Sequence, residues 1–166
     1  VYLIVTALTP LTHVAWRRTG FASIAVLVAG AVAVDIASLH FGVPYINFAN
    51  FLFVWLAIHQ LGYAWSDGRF AARGRTVAMG LAGLVALVLL VRFGPYPVAM
   101  IGVPGADLSN SMPPTLALLA LGIAQIGIVL AFEGPMRLLL DKDWLWTATV
   151  LVNGMIMTIY LWHLTA

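Results

Sequence analysis

The sequence predicts an all-α membrane protein, a polytopic transmembrane bundle of about six hydrophobic spans. Hydrophobic residues make up 63% of the 166 residues and charged residues only 8%. Soluble domains carry roughly 25% charged residues, because their surface faces water. The apolar residues also fall into stretches near the roughly 20 residues that a helix needs to cross the hydrocarbon core. A surface covered by lipid needs few charges, so composition and spacing predict the same class.

The first apolar stretches are separated by short polar or basic connections. They predict four helices, over residues 1–16, 21–39, 46–65 and 76–91. The chain from 92 to 114 is rich in Pro and Gly and is predicted to be one long external loop.

Two prolines, at 113 and 114, suit the first turn of a fifth helix, because Pro lacks the N–H that such a turn leaves unpaired. That helix is predicted over residues 115–132, and a short polar link is predicted over 133–143. The last apolar stretch, 144–166, is either one helix or two pieces divided at Asn153 and Gly154.

Residues 1–166 are predicted to form a single transmembrane domain. The sequence begins and ends inside apolar runs, so it is expected to be a piece of a longer protein. There is no cysteine, so neither a disulfide nor a thiolate metal site is predicted. The formal charge of +2 is too small to indicate a nucleic-acid partner. The oligomeric state is not predicted.

Lysine and arginine predict the orientation, because cytoplasmic loops of membrane proteins carry an excess of both. Most basic residues follow the first, third or fifth predicted helix: Arg17, Arg18, Arg69, Arg73, Arg75, Arg137 and Lys142. These connections are therefore predicted to be cytoplasmic. Arg69, Arg73 and Arg75 could also bind the phosphates of an anionic cofactor. The bias toward positive cytoplasmic loops accounts for them equally well.

Ionisable residues at membrane depth are costly and usually face a cavity or a partner. Asp35 either forms hydrogen bonds inside the bundle or reaches outward. His59 lies beside Gln60 and Tyr63, and is either a structural histidine or part of a polar wall around a substrate passage. None of the four histidines lies four residues from another histidine or a carboxylate, so no metal site is predicted on a helix.

The loop at 92–114 is too apolar for a solvated linker and too rich in Pro and Gly for a helix. Long loops without regular structure are often functional. This loop either presents Asp107, Ser109 and Asn110 to a cavity as substrate-binding residues, or forms a packed cap over the bundle.

Several strings are informative in combination. They are Thr-Pro at 9–10 with Trp16-Arg17-Arg18, the string from Phe53 to Trp65, the string from Gly105 to Pro114 with Gln125 beyond it, and Tyr160-Leu-Trp-His163. Together they resemble the acyltransferase 3 family of bacterial integral-membrane acyltransferases. The resemblance covers essentially the whole sequence and matches the C-terminal part of the family domain.

The resemblance implies transfer of an acyl group, typically acetyl, from cytoplasmic acyl-CoA to a hydroxyl of a cell-envelope glycan, a lipid or a small molecule. It implies a bacterial cytoplasmic membrane, with acyl-CoA as donor substrate and no bound cofactor. His163 lies in a matching string and is the first candidate catalytic residue, with Tyr160 and Trp162 as substrate-binding neighbours. His59 is the second candidate.

One departure from the family matters. The family's first helices carry an Arg followed shortly by a His, and this chain has no counterpart. The main catalytic residue is therefore expected upstream of Val1, and residues 1–166 alone are expected to be inactive. Two other classes remain open: a transporter or permease subunit, for which an internal inverted repeat is typical, and a non-catalytic anchor subunit.

Overall fold

The computed structural model describes residues 2–102 and 108–163, and within them the chain forms α-helices and no β-strand. The helices are α1 (Tyr2–Thr19), α2 (Phe21–Asp35), α3 (Asn50–Ser66), α4 (Arg73–Phe93), α5 (Leu116–Ala131), α6 (Glu133–Leu140) and α7 (Asp143–His163). A π-helical turn, Ile36–His40, prolongs α2, and a 3₁₀ turn, Ile46–Ala49, leads into α3. The predicted all-helical class is confirmed.

Candidate membrane spans are fewer than the sequence predicts. In the described part of the chain, Phe21–His40 and α4 are long and apolar enough to cross a membrane. Helices α5 and α6 meet at a 50° bend and add a third span if they act as one. These segments support a membrane protein, and the count of about six spans stays a prediction.

Two predictions about the last third of the chain are wrong. The segment 133–143 was predicted as a link, but it contains α6, where Arg137 and Glu133 form an ion pair one helical turn apart. The prolines at 113 and 114 precede α5 instead of forming its first turn. Thr115, the N-cap residue, has an extended backbone, so the helix can begin only after it. The division considered at Asn153 is not present, because α7 is continuous there.

Close packing of α4 against α5 depends on glycine. A Cβ atom at Gly83 would lie 2.6 Å from the backbone nitrogen of Ala124, and one at Gly80 would lie 3.3 Å from the backbone of Gly127. Such approach requires residues with little or no side chain, as is common where membrane helices pack. Any larger residue at Gly83 would therefore separate the two helices.

The apolar core joins α2, α3 and α5. Its buried members are Ala31, Val54, Ala57 and Leu119. Helix α1 packs beside α3, where the indole nitrogen of Trp16 donates a hydrogen bond of 2.8 Å to a carboxylate oxygen of Asp67. Buried polar residues lie at helix ends, as Asp35 and Thr76 do, and between helices, as Gln60 does where it accepts a hydrogen bond from Ser23.

Candidate functional site

Polar side chains gather at two ends of the bundle. We call the first the Asp35 end, where α2 finishes and α3 and α5 begin. We call the other the Arg73 end, where α3 finishes and α4 begins. The two ends hold different chemistry.

The carboxylate of Asp35 is the centre of the Asp35 end, and only 4% of the residue is exposed. One oxygen, Oδ1, accepts a hydrogen bond of 2.7 Å from the amide of Asn50. The other, Oδ2, accepts one of 2.8 Å from the Tyr96 hydroxyl and one of 2.9 Å from the backbone N–H of Leu116. All three partners donate, which suits an ionised carboxylate. Asp35 therefore forms hydrogen bonds inside the bundle and does not reach outward.

This arrangement also caps α5 from another helix. The N-cap residue Thr115 makes no side-chain capping hydrogen bond. Instead, the carboxylate of Asp35 accepts a hydrogen bond from the N–H of Leu116, the first helical residue. A negative charge at this position interacts favourably with the helix dipole. Burial and the hydrogen bond to Asp35 raise the pKa of Tyr96 well above its ordinary value, so Tyr96 remains a donor at physiological pH. Sequence reasoning missed Asn50 and Tyr96, because both meet Asp35 only through the fold.

Asn110 holds together the described parts of the loop after α4. It is fully buried. Its amide nitrogen donates to the carbonyl oxygens of Pro97 at 2.7 Å and Ala99 at 3.1 Å, and its oxygen accepts a hydrogen bond of 2.8 Å from the Thr115 hydroxyl. The side chain of Asn110 is thus engaged in positioning the loop. Substrate binding by Asn110 stays a prediction, and these contacts do not favour it.

The structure says less about Ser109 and Asp107, the other loop residues predicted to bind substrate. The hydroxyl oxygen of Ser109 lies 3.3 Å from that of Ser111, and the Ser109 side chain is half-buried. Asp107 lies outside the described residues, so its predicted role is not tested.

His59 lies on α3 in a group of polar and aromatic side chains facing α1. Its ring meets Tyr63 edge-on with centroids 5.0 Å apart, and Tyr63 meets His13 in the same way at 5.3 Å. The Tyr63 hydroxyl lies 3.0 Å from that of Thr12. The Nδ1 atom of His59 is buried and has no hydrogen-bond partner among the described residues. A mostly apolar cavity of about 330 Å³ adjoins His59 and Trp55.

The string at the end of α7 is only partly described. Tyr160 and Trp162 are exposed, and the side chain of His163 lies outside the described residues. Within the described chain, α7 makes no close backbone contact with α3. The structure therefore does not bring His59 and His163 onto neighbouring helices, and their catalytic roles stay predictions.

A cavity of about 310 Å³ opens at the Arg73 end, and we call it the basic pocket. Arg73 at the start of α4 and Arg137 on α6 both line it, with Phe70, Glu133 and Pro135 completing the walls. Arg69 and Arg75 are exposed and do not line it. Of the three arginines predicted to bind a cofactor, Arg73 lines this pocket, together with Arg137, and their binding of a cofactor stays a prediction. Sequence reasoning used Arg137 for orientation alone, because only the turn from α5 into α6 brings it back toward α4.

Glu133 joins the basic pocket to α3. One carboxylate oxygen accepts hydrogen bonds from Arg137, at 3.0 Å from Nε and 2.8 Å from a terminal nitrogen. The other accepts one of 3.0 Å from the indole nitrogen of Trp65. The side chain of Arg137 remains 72% exposed, so it keeps N–H groups for a further acceptor.

An open groove of about 620 Å³ runs between α3, α5 and α6, and we call it the apolar groove. It shares Leu130, Glu133 and Arg137 with the basic pocket, so the two spaces lie next to each other. Its other walls are mainly apolar and include Leu61 and Val129. Arginine donors beside such a groove suit a molecule with an anionic head and an apolar tail.

Comparison of the chain with models of known protein families, with curated proteins and with solved structures found no match. Its function is therefore inferred from its own residues.

Proposed function

We propose that this protein is a membrane-bound acyltransferase that moves an acyl group from acyl-CoA to a hydroxyl of a cell-envelope glycan, lipid or small molecule. The observation that carries the proposal is that the basic pocket lies next to the apolar groove and shares three lining residues with it. The strings resembling the acyltransferase 3 family, above all Tyr160-Leu-Trp-His163, support the same reaction.

Acyl-CoA has a charged part that suits the basic pocket and a longer part that could enter the apolar groove. Its phosphates are anionic, and arginine binds phosphate strongly because the planar guanidinium can donate two parallel hydrogen bonds. Arg73 and Arg137 would bind these phosphates from two helices, while the arm that links the phosphates to the thioester would extend past Leu130 along the groove. No other bound cofactor is proposed.

The reaction joins the acceptor oxygen to the thioester carbonyl carbon and breaks the carbon–sulfur bond. Coenzyme A leaves as the thiol, which takes up the proton lost by the acceptor hydroxyl. A base must assist that proton transfer. His59 is not among the residues that line the groove. His163 and His59 are the candidates for that base within this chain.

The topology proposed with this function follows the charges. The protein would cross the bacterial cytoplasmic membrane about six times, with the Arg73 end in the cytoplasm, where acyl-CoA is found. The loop at 92–114 would lie outside, and the hydroxyl acceptor would reach the site from the membrane or its outer surface.

Transport is the alternative function. It is not preferred, because the polar residues between α1 and α3 contact one another and do not line an open path in the described chain. The Tyr63 hydroxyl is hydrogen-bonded to Thr12, and the cavity beside His59 is mostly apolar.

The test is donor-dependent release of coenzyme A. Permeabilised membranes of cells that express the protein from its native reading frame would be given acetyl-CoA or palmitoyl-CoA, with the cell's own envelope as acceptor. Released thiol and acylated product would be measured against membranes carrying an empty vector. We expect release above that background, with product formed in equal amount.

The matched variants are Arg73→Ala with Arg137→Ala, and Arg92→Ala at the opposite end of α4. Because charge-assisted hydrogen bonds contribute about 1.5–3 kcal/mol each, the double variant should raise the KM for acyl-CoA about tenfold or more. The control should stay within about twofold, since surface changes away from a site are nearly neutral. Release at background level, or a KM unaffected by the double variant, would contradict the proposal.

A further inference from the structure

A further groove, of about 260 Å³, lies between α4 and α5, and we call it the α4–α5 groove. It shares Arg73 and Ala131 with the basic pocket and no residue with the apolar groove. Apart from Arg73 its lining is apolar and consists of Val77, Gly80, Leu81, Leu84, Ile128, Ala131 and Phe132. The α4–α5 groove is therefore a separate space that reaches the Arg73 end of the bundle.

The groove follows one face of α4 into the membrane. Its residues on that helix come at intervals of four, three, one and three, which places them on one side of the helix. Helix α4 is long and apolar enough to cross a membrane, and Arg73 is its first residue. From Arg73 to Leu84 the groove is about 16 Å long at the helical rise of about 1.5 Å per residue. This length is close to half of the roughly 30 Å hydrocarbon core, so the groove runs through about one leaflet of the bilayer.

The walls of the groove lie beside a close contact between the two helices. A Cβ atom at Gly80 would lie 3.3 Å from the backbone of Gly127, so α4 and α5 meet there with almost no side chain between them. Val77, Leu81 and Ile128 line the groove and remain exposed. In a membrane, such exposed apolar side chains face lipid tails, so the walls suit a hydrocarbon chain.

Arg73 supplies a positive charge at the end of the groove. Within the described residues, the guanidinium of Arg73 forms no ion pair and no hydrogen bond. Glu133, the carboxylate of the basic pocket, does not line this groove. A guanidinium can donate two parallel hydrogen bonds to a phosphate. The groove thus combines an arginine at the membrane surface with an apolar path for one chain.

We propose that the α4–α5 groove binds one anionic phospholipid, with its phosphate on Arg73 and an acyl chain along Val77, Leu81 and Leu84. A phospholipid fits because only a short glycerol unit separates its phosphate from its chains, and the apolar lining begins one helical turn after Arg73. An anionic head group fits better than a zwitterionic one, because a zwitterionic head group carries a cation of its own. Basic residues at the membrane surface attract anionic lipids in the same way.

This lipid site does not depend on the proposed function, because lipid binding is measured without an acyl donor. Arg73 borders both the basic pocket and the α4–α5 groove. A bound lipid phosphate would therefore compete with the phosphates of acyl-CoA for one guanidinium.

The test measures which lipid the protein retains. Protein expressed from its native reading frame and purified in detergent would be mixed with equal amounts of phosphatidylglycerol and phosphatidylcholine that carry the same acyl chains. Native mass spectrometry would count the retained lipids. We expect one retained lipid per protein molecule, with phosphatidylglycerol favoured about fivefold, since one basic residue near the surface contributes about that factor.

Three single variants locate the head group. Arg73→Ala should bring the retention of the two lipids close to equal. Arg92→Ala, at the opposite end of α4, should keep the preference for phosphatidylglycerol. Arg137→Ala should keep it as well, because Arg137 lines the basic pocket but not the α4–α5 groove. A preference lost in Arg137→Ala and kept in Arg73→Ala would place the lipid in the basic pocket and overturn the inference.

A matched pair of variants locates the acyl chain. Val77 and Val85 both lie on α4 and are 41% and 56% exposed, but only Val77 lines the groove. Val77→Trp should lower the retention of both lipids at least about fourfold, as the loss of one or more buried methylenes implies. Val85→Trp should leave retention unchanged. Ile128→Trp, which fills the groove from α5, should reproduce the loss even if Val77→Trp lowers the yield of folded protein.

Several results would overturn the inference. Equal retention of phosphatidylglycerol and phosphatidylcholine by the wild type would do so, and so would an unchanged preference in Arg73→Ala. Equal lipid retention in Ile128→Trp and Val85→Trp would remove the acyl chain from the groove. A dimer without retained lipid would assign the groove to a second copy of the chain and also overturn the inference. None of these results bears on the release of coenzyme A, which tests the proposed function separately.

Discussion

Both ends of the bundle carry polar residues, but those residues differ in what they bind. At the Asp35 end, Asp35, Asn110 and Tyr96 are buried and bonded to one another or to the backbone. At the Arg73 end, Arg73 and Arg137 line a cavity and remain exposed. The polar groups of the Asp35 end find their hydrogen-bond partners within the protein, whereas the arginines of the Arg73 end keep N–H donors for another molecule.

This difference predicts that the Asp35 end contributes mainly to stability and the Arg73 end mainly to function. A buried carboxylate that holds three donors contributes to stability, because its removal leaves those donors unpaired. An exposed arginine contributes little to stability and can still bind an anion. The Asp35 end therefore holds the start of α5 and the loop in place, and the Arg73 end is the better candidate for ligand binding.

The largest effect is expected for Asp35→Ala. It leaves Asn50, Tyr96 and the N–H of Leu116 without their acceptor, and we expect a loss of about 3 kcal/mol or more in the free energy of unfolding. The midpoint of thermal unfolding in detergent should fall by roughly 10 °C. The control is Asp141→Ala, an exposed carboxylate outside the Asp35 end. Equal midpoints for the two variants would remove the distinction between the ends.

A smaller effect is expected for Tyr96→Phe, which removes one of the three donors and keeps the ring. We expect a loss of about 1–2 kcal/mol, since a hydrogen bond to a charged group is worth somewhat more than a neutral one. The same thermal measurement applies. Tyr45→Phe, at a residue that is 81% exposed, should leave the midpoint unaffected. A loss as large as that of Asp35→Ala would mean that Tyr96 alone accounts for the stability of this end.

The smallest effect on stability is expected for Arg137→Ala. Its ion pair with Glu133 is exposed and lies within one helix, so the free energy of unfolding should change by about 0.5 kcal/mol or less. The KM for acyl-CoA should nevertheless rise. This is the reverse of the pattern expected for Asp35→Ala. A large fall in the unfolding midpoint would show that Arg137 is structural and would weaken the proposed site.

Some of the site was accessible from the sequence because its signal is local. The polar character of Asp35, His59 and Asn110 within apolar surroundings marked them as residues that need partners. Arg73 stood out because basic residues recur in alternate connections. The polar character of these residues did not reveal their hydrogen-bond partners, because a partner can be far away in the sequence. Tyr96, for example, is separated from Asp35 by two helices. Likewise, Arg137 joins Arg73 only because α5 and α6 meet at a 50° bend.

The sequence by itself determined the all-helical class and most of the helix positions, because apolar runs and their basic or proline-rich breaks act over a few neighbouring residues. Its errors fell at 133–143, which contains α6, and at the prolines before α5, which precede the extended N-cap residue Thr115. The tertiary structure alone decided that Asp35 caps α5, that Gly83 lets α4 approach α5, and that a basic pocket lies next to an apolar groove. Each of these depends on contacts between helices far apart along the chain, and such contacts leave no periodic pattern in any one segment.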